Sequence, residues 1–265
     1  MKPQEFFATR PIFTLAEYRE FVNGTRDHSR ATEQTIAYYT MQGRLRRVRR
    51  GIYAAVALGS TPEQFSFDPF LVAGKLTDDA ILGYHTALAY YGKTYSTIDH
   101  FRVITQHQFK SFQLAGAQFS GVSFPRSLIL AGQTMVETTK VERSGVLIHV
   151  TTYERTLVDT LDRPQYSPSW EDIWRALAMI EYVNPDAVIR YVQLLGNATT
   201  AAKVGYFLEQ HRESLMIDDI VLAKLEAQRP LSPQYITKPG QDGRLVARWN
   251  LIVPAQIVTR DWEEF

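Results

Sequence analysis

The chain has 265 residues, of which 45% are hydrophobic and 22% are charged, and these values are average for a globular protein. This composition excludes a disordered, collagen-like or coiled-coil chain, and the length corresponds to about two domains. The absence of cysteine excludes disulfides, thiolate zinc sites, cysteine-ligated iron–sulfur clusters and a cysteine nucleophile. No apolar run reaches about 18 residues and the first residues lack a signal-peptide pattern, so we expect a cytoplasmic protein without a membrane-spanning helix.

The net charge of +1 hides an uneven distribution of charge along the chain. The first 60 residues carry ten Lys or Arg and five Asp or Glu, whereas the remainder carries 19 Lys or Arg and 23 Asp or Glu. Five arginines lie between Arg44 and Arg50 with no acid among them. A basic segment on a mildly acidic chain indicates binding to a polyanion. A run of charges is also typical of a solvated surface, so charge alone leaves both interpretations open.

The N-terminal segment has the pattern of two helices. Thr14 and Glu17 have the spacing of a capping box, which predicts a helix that begins at Thr14. A polar turn then leads to a second helix with a good N-cap and a C-terminal glycine. The residues that set these boundaries are Asn23-Gly24, Thr25 to His28, Ser29 and Gly43.

A basic hairpin is predicted directly after the second helix. Two β-prone runs, Leu45 to Val48 and Ile52 to Val56, are separated by Arg49-Arg50-Gly51, a three-residue turn with glycine last. The alternation is imperfect, because Leu45 and Val48 cannot share one face of an ideal strand. Leu45 is therefore also compatible with closing the preceding helix.

Helix, turn, helix and basic hairpin is the layout of a winged helix-turn-helix, which we predict over residues 1–60. The second helix would read bases in the major groove of double-stranded operator DNA through residues that lie away from its packing side, namely Arg30, Gln34, Thr35 and Tyr38. The hairpin would contact phosphates or the minor groove through Arg44, Arg46, Arg47, Arg49 and Arg50. Of these, Arg49 and Arg50 lie at the tip of the predicted wing.

The remaining residues, 68–265, are predicted to form a larger mixed α/β domain with a C-terminal helical part, which makes the whole chain α+β. Residues 57–67 have the composition of a linker. One helix is predicted to begin at Asp68-Pro69, and two more are predicted around Ile81–Tyr91 and over Thr156–Leu161. Further helices are predicted to begin at Ser169, Asn184-Pro185, Thr200 and Asp218 or Asp219. The β-rich runs are Phe101–Thr105, Gly121–Phe124 and Val146–Val150, and Leu245–Val253 is predicted as a returning strand or half of a hairpin around Gln241-Asp242-Gly243.

The sequence also resembles the AbiEi antitoxin family. The segments that carry the resemblance, in family order, are Phe13–Glu17, Met41–Tyr53, Tyr84–Gly92, Val150–Pro164, Lys203–Glu209 and Arg248–Leu251. The resemblance implies a transcriptional repressor and antitoxin of a bacterial abortive-infection, type IV toxin–antitoxin system. It also implies a nucleotidyltransferase-like toxin as functional partner, neutralised without a stable complex. Family members often carry basic residues where this chain has Ala37, Tyr38 and Thr40.

Signals for catalysis are weak in this sequence. Gly92-Lys93-Thr94 lacks the earlier glycine of a P-loop, and His85 has the surroundings of a helix-packing histidine. His100 and His107 are spaced too widely for a compact metal site. We expect no catalytic residue, metal or cofactor.

The densest acid group is Glu154, Asp159 and Asp162. It favours a structural role, in which Arg155 pairs with Asp159 four residues along a helix. The alternative is a nucleic-acid-targeted enzyme, a nuclease or nucleotide-modifying protein with a basic DNA-binding head. Metal-dependent activity that is lost on substitution of Asp159 or Asp162 would favour that alternative.

Overall fold

The computed structural model describes residues 3–23, 29–56, 66–237, 240 and 242–259. Over these residues the chain is α+β, as the sequence predicts. Gly24 of the predicted helix stop lies outside the described residues, as do the predicted turn Thr25 to His28 and residues 57–65 of the predicted linker. Within the described ranges, no helix combines the length and hydropathy needed to cross a bilayer.

The chain folds into two units, each assembled from separate segments. The first unit contains the described residues of Met1–Leu82, Asp99–Ser123 and Lys140–Val150. The second contains those of Gly83–Ile98, Phe124–Thr139 and Thr151–Phe265. The assignment of residues 1–60 and 68–265 as separate domains stays a prediction about which parts fold independently.

The N-terminal part of the first unit is a module of three helices and a small antiparallel sheet. Its elements are α1 (Pro3–Thr9), β1 (Ile12–Thr14), α2 (Leu15–Asn23), α3 (Ser29–Met41), β2 (Leu45–Arg49) and β3 (Ile52–Ala55), with strand order β1-β3-β2. The core of this module consists of Phe6, Phe13, Tyr18, Ile36 and Leu45, all 3% exposed or less. Helix α1 and strand β1 have no counterpart in the predictions, although they supply two of these aromatic side chains.

Local signals set the helix boundaries of this module. The Thr14 amide donates to Glu17 Oε2 at 2.7 Å, and the Glu17 amide donates to Thr14 Oγ1 at 3.1 Å, so the predicted capping box is confirmed. Helix α3 begins at Ser29 as predicted. Gly43 follows it with φ of +68°, the left-handed conformation expected of a residue just beyond a helix C-terminus.

A β-bulge resolves the imperfect alternation of the hairpin. Arg47 pairs with Tyr53, whereas Arg49 pairs with Ile52, so the register shifts between them and Val48 is the extra residue. Leu45 belongs to β2, where it pairs with Ala55 and is 2% exposed. It therefore does not close the preceding helix, and the strand extends to Arg49, one residue further than predicted.

The rest of the first unit is built around a six-stranded mixed sheet of order β6-β7-β5-β4-β9-β8. Its strands are β4 (Ile81–Leu82), β5 (His100–Ile104), β6 (Phe112–Leu114), β7 (Ala117–Val122), β8 (Thr138–Arg143) and β9 (Val146–Thr151). Helix α4 (Pro69–Gly74) begins at the predicted cap, where Asp68 accepts the Phe70 amide at 3.0 Å. The predicted helix around Ile81–Tyr91 is corrected, because buried Ile81 and Leu82 pair with β5 and β9 before the chain turns into a helix.

The second unit consists mainly of packed helices. They are α5 (Tyr84–Tyr90), α6 (Arg126–Leu130), α7 (Tyr153–Asp162), α8 (Trp170–Ala178), α9 (Pro185–Leu195), α10 (Ala198–Gln210), α11 (Asp219–Glu226) and α12 (Ala255–Thr259). The predicted caps Ser169, Asn184 and Asp218 each accept a backbone amide at the start of α8, α9 and α11. Helix α10 starts earlier than predicted, because Asn197 rather than Thr200 caps it.

A small sheet follows the helices in the second unit. It comprises β10 (Gln234–Tyr235), β11 (Arg244–Val246) and β12 (Leu251–Val253), in the order β10-β12-β11. The predicted strand over Leu245–Val253 is corrected, since a 3₁₀ turn at Ala247–Trp249 divides it into two antiparallel strands. The chain turns between β11 and β12 at residues 247–250, where Asn250 adopts φ of +49°. Of the predicted turn Gln241-Asp242-Gly243, Gln241 lies outside the described residues.

Candidate nucleic-acid interface

Helix α3 has one buried face and one exposed face. Thr32 and Ile36 are buried at 1% and 3% exposure, whereas Arg30, Gln34 and Tyr38 are exposed. Thr35 is half-buried, and its hydroxyl donates to the Ala31 carbonyl at 2.9 Å. Arg30, Gln34 and Tyr38 are therefore open to a ligand, while Thr35 is already engaged with the helix backbone.

A groove of about 330 Å³ lies between α3 and the hairpin. Ala37 and Met41 of α3 line one side, and Arg47 and Tyr53 of the hairpin line the other. Met41 is 87% exposed, so the last turn of α3 is not covered by the rest of the module. The groove brings Arg47 beside the exposed face of α3.

The five hairpin arginines fall into two groups. Arg46, Arg47 and Arg50 are exposed. Arg44 is half-buried, with its guanidinium carbon 5.6 Å from the Tyr39 ring centroid. The guanidinium carbon of Arg49, also half-buried, lies 4.9 Å from the Phe109 ring centroid and 5.1 Å from that of Phe112.

The positive charge of this surface comes from the hairpin and not from α3. Helix α3 carries one base, Arg30, and one acid, Glu33. Glu33 is paired with Arg19 of α2 at 2.6 Å. The hairpin can therefore attract a polyanion, while α3 offers mainly neutral hydrogen-bonding groups such as the Gln34 amide.

An ion pair holds the N-terminal module to the segment that follows α4. Lys75 Nζ lies 2.5 Å from Glu17 Oε1, and both side chains are largely buried. Burial raises the pKa of Glu17, but the Lys75 ammonium and the Thr14 amide outweigh it, so the pKa is below its usual value. Glu17 thus serves both the capping box of α2 and this longer-range contact.

The acid group of the second unit is used in structural contacts. Glu154 accepts the Asn184 amide at 2.8 Å, and Asp162 accepts the Asn197 side chain at 3.0 Å. The predicted Arg155–Asp159 pair is confirmed at 3.2 Å, and Asp159 also accepts the Tyr191 hydroxyl at 2.7 Å. Complete burial raises the pKa of Asp159, which the Arg155 charge partly opposes.

Histidines and acids do not converge on a metal site in the described residues. His85 is buried in α5, which matches the predicted packing histidine. His100 Nε2 lies 2.8 Å from Ser120 Oγ, and His107 Nδ1 lies 3.0 Å from Asp79 Oδ1, so the two histidines have different partners. Lys93 of the weak P-loop match pairs with Glu181 at 3.2 Å.

Sequence reasoning missed the aromatic partners of Arg49. About sixty residues separate Arg49 from Phe109 and Phe112, and no local periodicity links them. The available signal is compositional, since the chain has no Asp or Glu between Asp99 and Glu137. An acid-free stretch of this kind indicates a segment without negative charge, but it does not identify Arg49 as the partner of the two rings.

Comparison with known proteins supports the fold. No family model matches the chain, and no curated protein matches it. Among solved structures, the fold is similar to that of the RV2827C protein from Mycobacterium tuberculosis, with a TM-score of 0.57. The sequences are 15% identical, and the match covers 94% of this chain and 89% of that chain. At this identity the likeness concerns the fold alone.

Proposed function

We propose that this chain is a DNA-binding transcriptional repressor whose N-terminal module acts as a winged helix-turn-helix. In this proposal α3 is the recognition helix and the β2–β3 hairpin is the wing. Gln34, with Arg30 and Tyr38 beside it, reads base edges in the major groove. The exposed wing arginines bind the phosphate backbone or enter the minor groove.

The observation that carries the proposal is the exposure of Arg46, Arg47 and Arg50 on one hairpin that directly follows two helices. If the hairpin were only a solvent-exposed surface, neutral or acidic residues would be equally suitable at these three positions. The groove shared by Arg47 and Met41 adds support, because it sets the basic hairpin beside the exposed face of α3.

The antitoxin role rests on the resemblance to the AbiEi family. In this proposal the chain represses its own operon and counteracts a nucleotidyltransferase-like toxin without forming a stable complex with it. The contacts made by Glu154, Asp159 and Asp162 give no support to the alternative of a nuclease or nucleotide-modifying enzyme, because each carboxylate is engaged by the fold.

The test measures binding of the full chain to a duplex from its own promoter over a range of salt concentrations. We expect the affinity to fall steeply with salt. The triple variant Arg46→Ala, Arg47→Ala, Arg50→Ala should bind all duplexes more weakly, and its salt slope should flatten by about 0.9 log unit for each lost phosphate contact.

The matched control removes three exposed arginines from the second unit, Arg126, Arg190 and Arg212. It changes the net charge by the same amount, so generic electrostatics predicts equal losses in both variants. Wild-type affinity and salt slope in the wing variant, or equal losses in the wing and control variants, would refute the assignment.

A further inference from the structure

Arg49 fixes the wing against the segment that joins β5 to β6. Its guanidinium contacts the faces of Phe109 and Phe112. Its Nη1 atom is buried and has no hydrogen-bond partner among the residues that the structure describes. The two aromatic rings are therefore the groups that the Arg49 guanidinium contacts, and they hold the tip of the wing beside residues 109–112.

The two rings are anchored to the six-stranded sheet. Phe112 stacks on Phe119 of β7, with ring centroids 5.1 Å apart, and Phe119 stacks on Phe101 of β5 at 5.5 Å. Phe109 packs on the β7 backbone, because a Cβ atom on Gly121 would lie 3.1 Å from its ring. The wing tip therefore packs on two rings that strand β7 holds in place.

The segment beside the wing is basic and rich in hydrogen-bond donors. Lys110, Ser111 and Gln113 are exposed. Acids do approach its other end, where Asp78 and Asp79 face His107. His107 is therefore paired with an acid, whereas Lys110 has no ion-pair partner within the ranges that the structure describes.

We propose that Lys110, with Ser111 and Gln113, forms a second phosphate-binding element that extends the wing along the DNA backbone. This inference rests on the proposed function, since it needs the wing to bind DNA. A strand that crosses Arg46, Arg47 and Arg50 continues past Arg49 onto the β5–β6 segment. Lys110 contributes charge, and the Ser111 hydroxyl and Gln113 amide donate hydrogen bonds to phosphate oxygens. None of these contacts reads sequence, so the element adds affinity and register but no base preference.

The experiment compares the full chain with Lys110→Ala and Lys110→Glu on the promoter duplex and on an unrelated duplex, across salt concentrations. Lys110→Ala should weaken binding to both duplexes several-fold and reduce the salt slope by about 0.9 log unit. Lys110→Glu should weaken binding further. Hydroxyl-radical footprints should lose protection at phosphates next to those protected by the wing.

Lys224→Ala and Lys224→Glu are the matched controls, since Lys224 is an exposed lysine of the second unit. Wild-type affinity, slope and footprint in the Lys110 variants, with weakened binding in the wing triple variant, would overturn this inference and leave the proposed function standing. Equal losses in the Lys224 variants would also overturn it. If the wing triple variant binds like the wild type, both proposals fail. Unchanged thermal unfolding of the Lys110 variants excludes misfolding as the cause.

Discussion

The indole ring of Trp249 packs directly on the backbone of Gly205. A Cβ atom on Gly205 would lie 2.1 Å from Cζ3 of that ring, a distance that side chains do not tolerate. Trp249 is fully buried, and its Nε1 donates to Glu209 at 2.6 Å. Arg248 pairs with Glu209 at 2.5 Å and with Glu226 at 2.9 Å. One turn of α10 thereby holds the 3₁₀ turn between β11 and β12.

Gly205→Ala should destabilise the protein by about 1–3 kcal/mol, because the added methyl group overpacks the Trp249 contact. At an ordinary helix position the same change would stabilise by about 1 kcal/mol, so the expected sign is opposite to that of helix propensity. Denaturant unfolding of both proteins measures the difference. In the background of Trp249→Leu the penalty should shrink, and a stabilised Gly205→Ala single variant would contradict the packing argument.

Elements marked by a residue in the local sequence were predictable. Asp68, Ser169, Asn184 and Asp218 each begin a helix, since a side-chain oxygen within three residues can satisfy a free amide at a helix start. The capping box at Thr14 has the same basis. Base-reading candidates on α3 followed from its helical period, which separates Gln34 from buried Ile36.

Features set by distant contacts were not predictable. Strand β1 exists because Phe13 pairs with Tyr53, forty residues further along the chain. Ile81 and Leu82 have the apolar character of a buried helix, and only pairing with β5 and β9 makes them a strand. Arg49 differs from the exposed hairpin arginines because it contacts Phe109 and Phe112. The five arginines are therefore equivalent in sequence but have different surroundings in the fold.

Gln34→Ala should relax base preference at one or two positions of the operator and leave non-specific binding unchanged. Gln34 lies on the exposed face of α3, and a bidentate amide contact to a base discriminates by about 1–3 kcal/mol. Competition binding with singly substituted operator duplexes measures this effect. Ala31→Gly on the same helix face controls for helix weakening. A uniform loss across all duplexes would show that Gln34 does not read a base.

Asp159→Asn should destabilise the second unit by about 3–5 kcal/mol, because it leaves buried Arg155 without its ionic partner. Tyr191→Phe removes only the hydroxyl that donates to Asp159, and should cost about 1.5–3 kcal/mol. Urea unfolding tests both variants, with the exposed Asp186→Asn as a near-neutral control. A fully stable Asp159→Asn that loses a metal-dependent activity would instead favour the enzyme alternative.

The network around Asp79 should make stability depend on acid pH. Burial raises the pKa of Asp79, but bonds from His107, Thr105 and the Gln106 amide outweigh this and lower it to about 2. A lowered carboxyl pKa contributes stability that is present above the usual value of 3.8 and is lost as pH falls through about 2.

Asp79→Asn should therefore lower the Tm at about pH 6 and match the wild type more closely near about pH 2. The hydrogen bond and charge of Asp79 raise the pKa of His107. The stability that protonated His107 adds is therefore fully present below pH 6.5 and is lost as the pH rises through the raised pKa of His107. Thermal unfolding of the wild type, Asp79→Asn and His107→Gln across pH provides the measurement. A pH-independent difference between the wild type and Asp79→Asn would rule out this titration.

We expect the proposed roles of DNA binding and antitoxicity to lie in different parts of the chain. The first 60 residues carry the net positive charge, and the fragment 68–265 keeps the helices of the second unit and the six-stranded sheet. Without the N-terminal module, Lys75 loses Glu17, and Phe109 and Phe112 lose Arg49. The loss of these contacts should reduce the stability of the fragment. The fragment should still fold, because the helical core of the second unit does not use these contacts.

The proposed function includes a toxin partner, so the fragment expressed with that toxin should still rescue growth, whereas a reporter behind the promoter should no longer be repressed. The full chain should do both, and the wing triple variant should behave like the fragment while keeping every contact of Lys75. That variant separates loss of DNA binding from loss of stability, because Arg46, Arg47 and Arg50 are exposed. A folded fragment that gives no protection would show that antitoxicity needs the N-terminal module. Repression by the fragment would show that DNA binding lies outside that module, and in that case α3 and the wing would not form the interface.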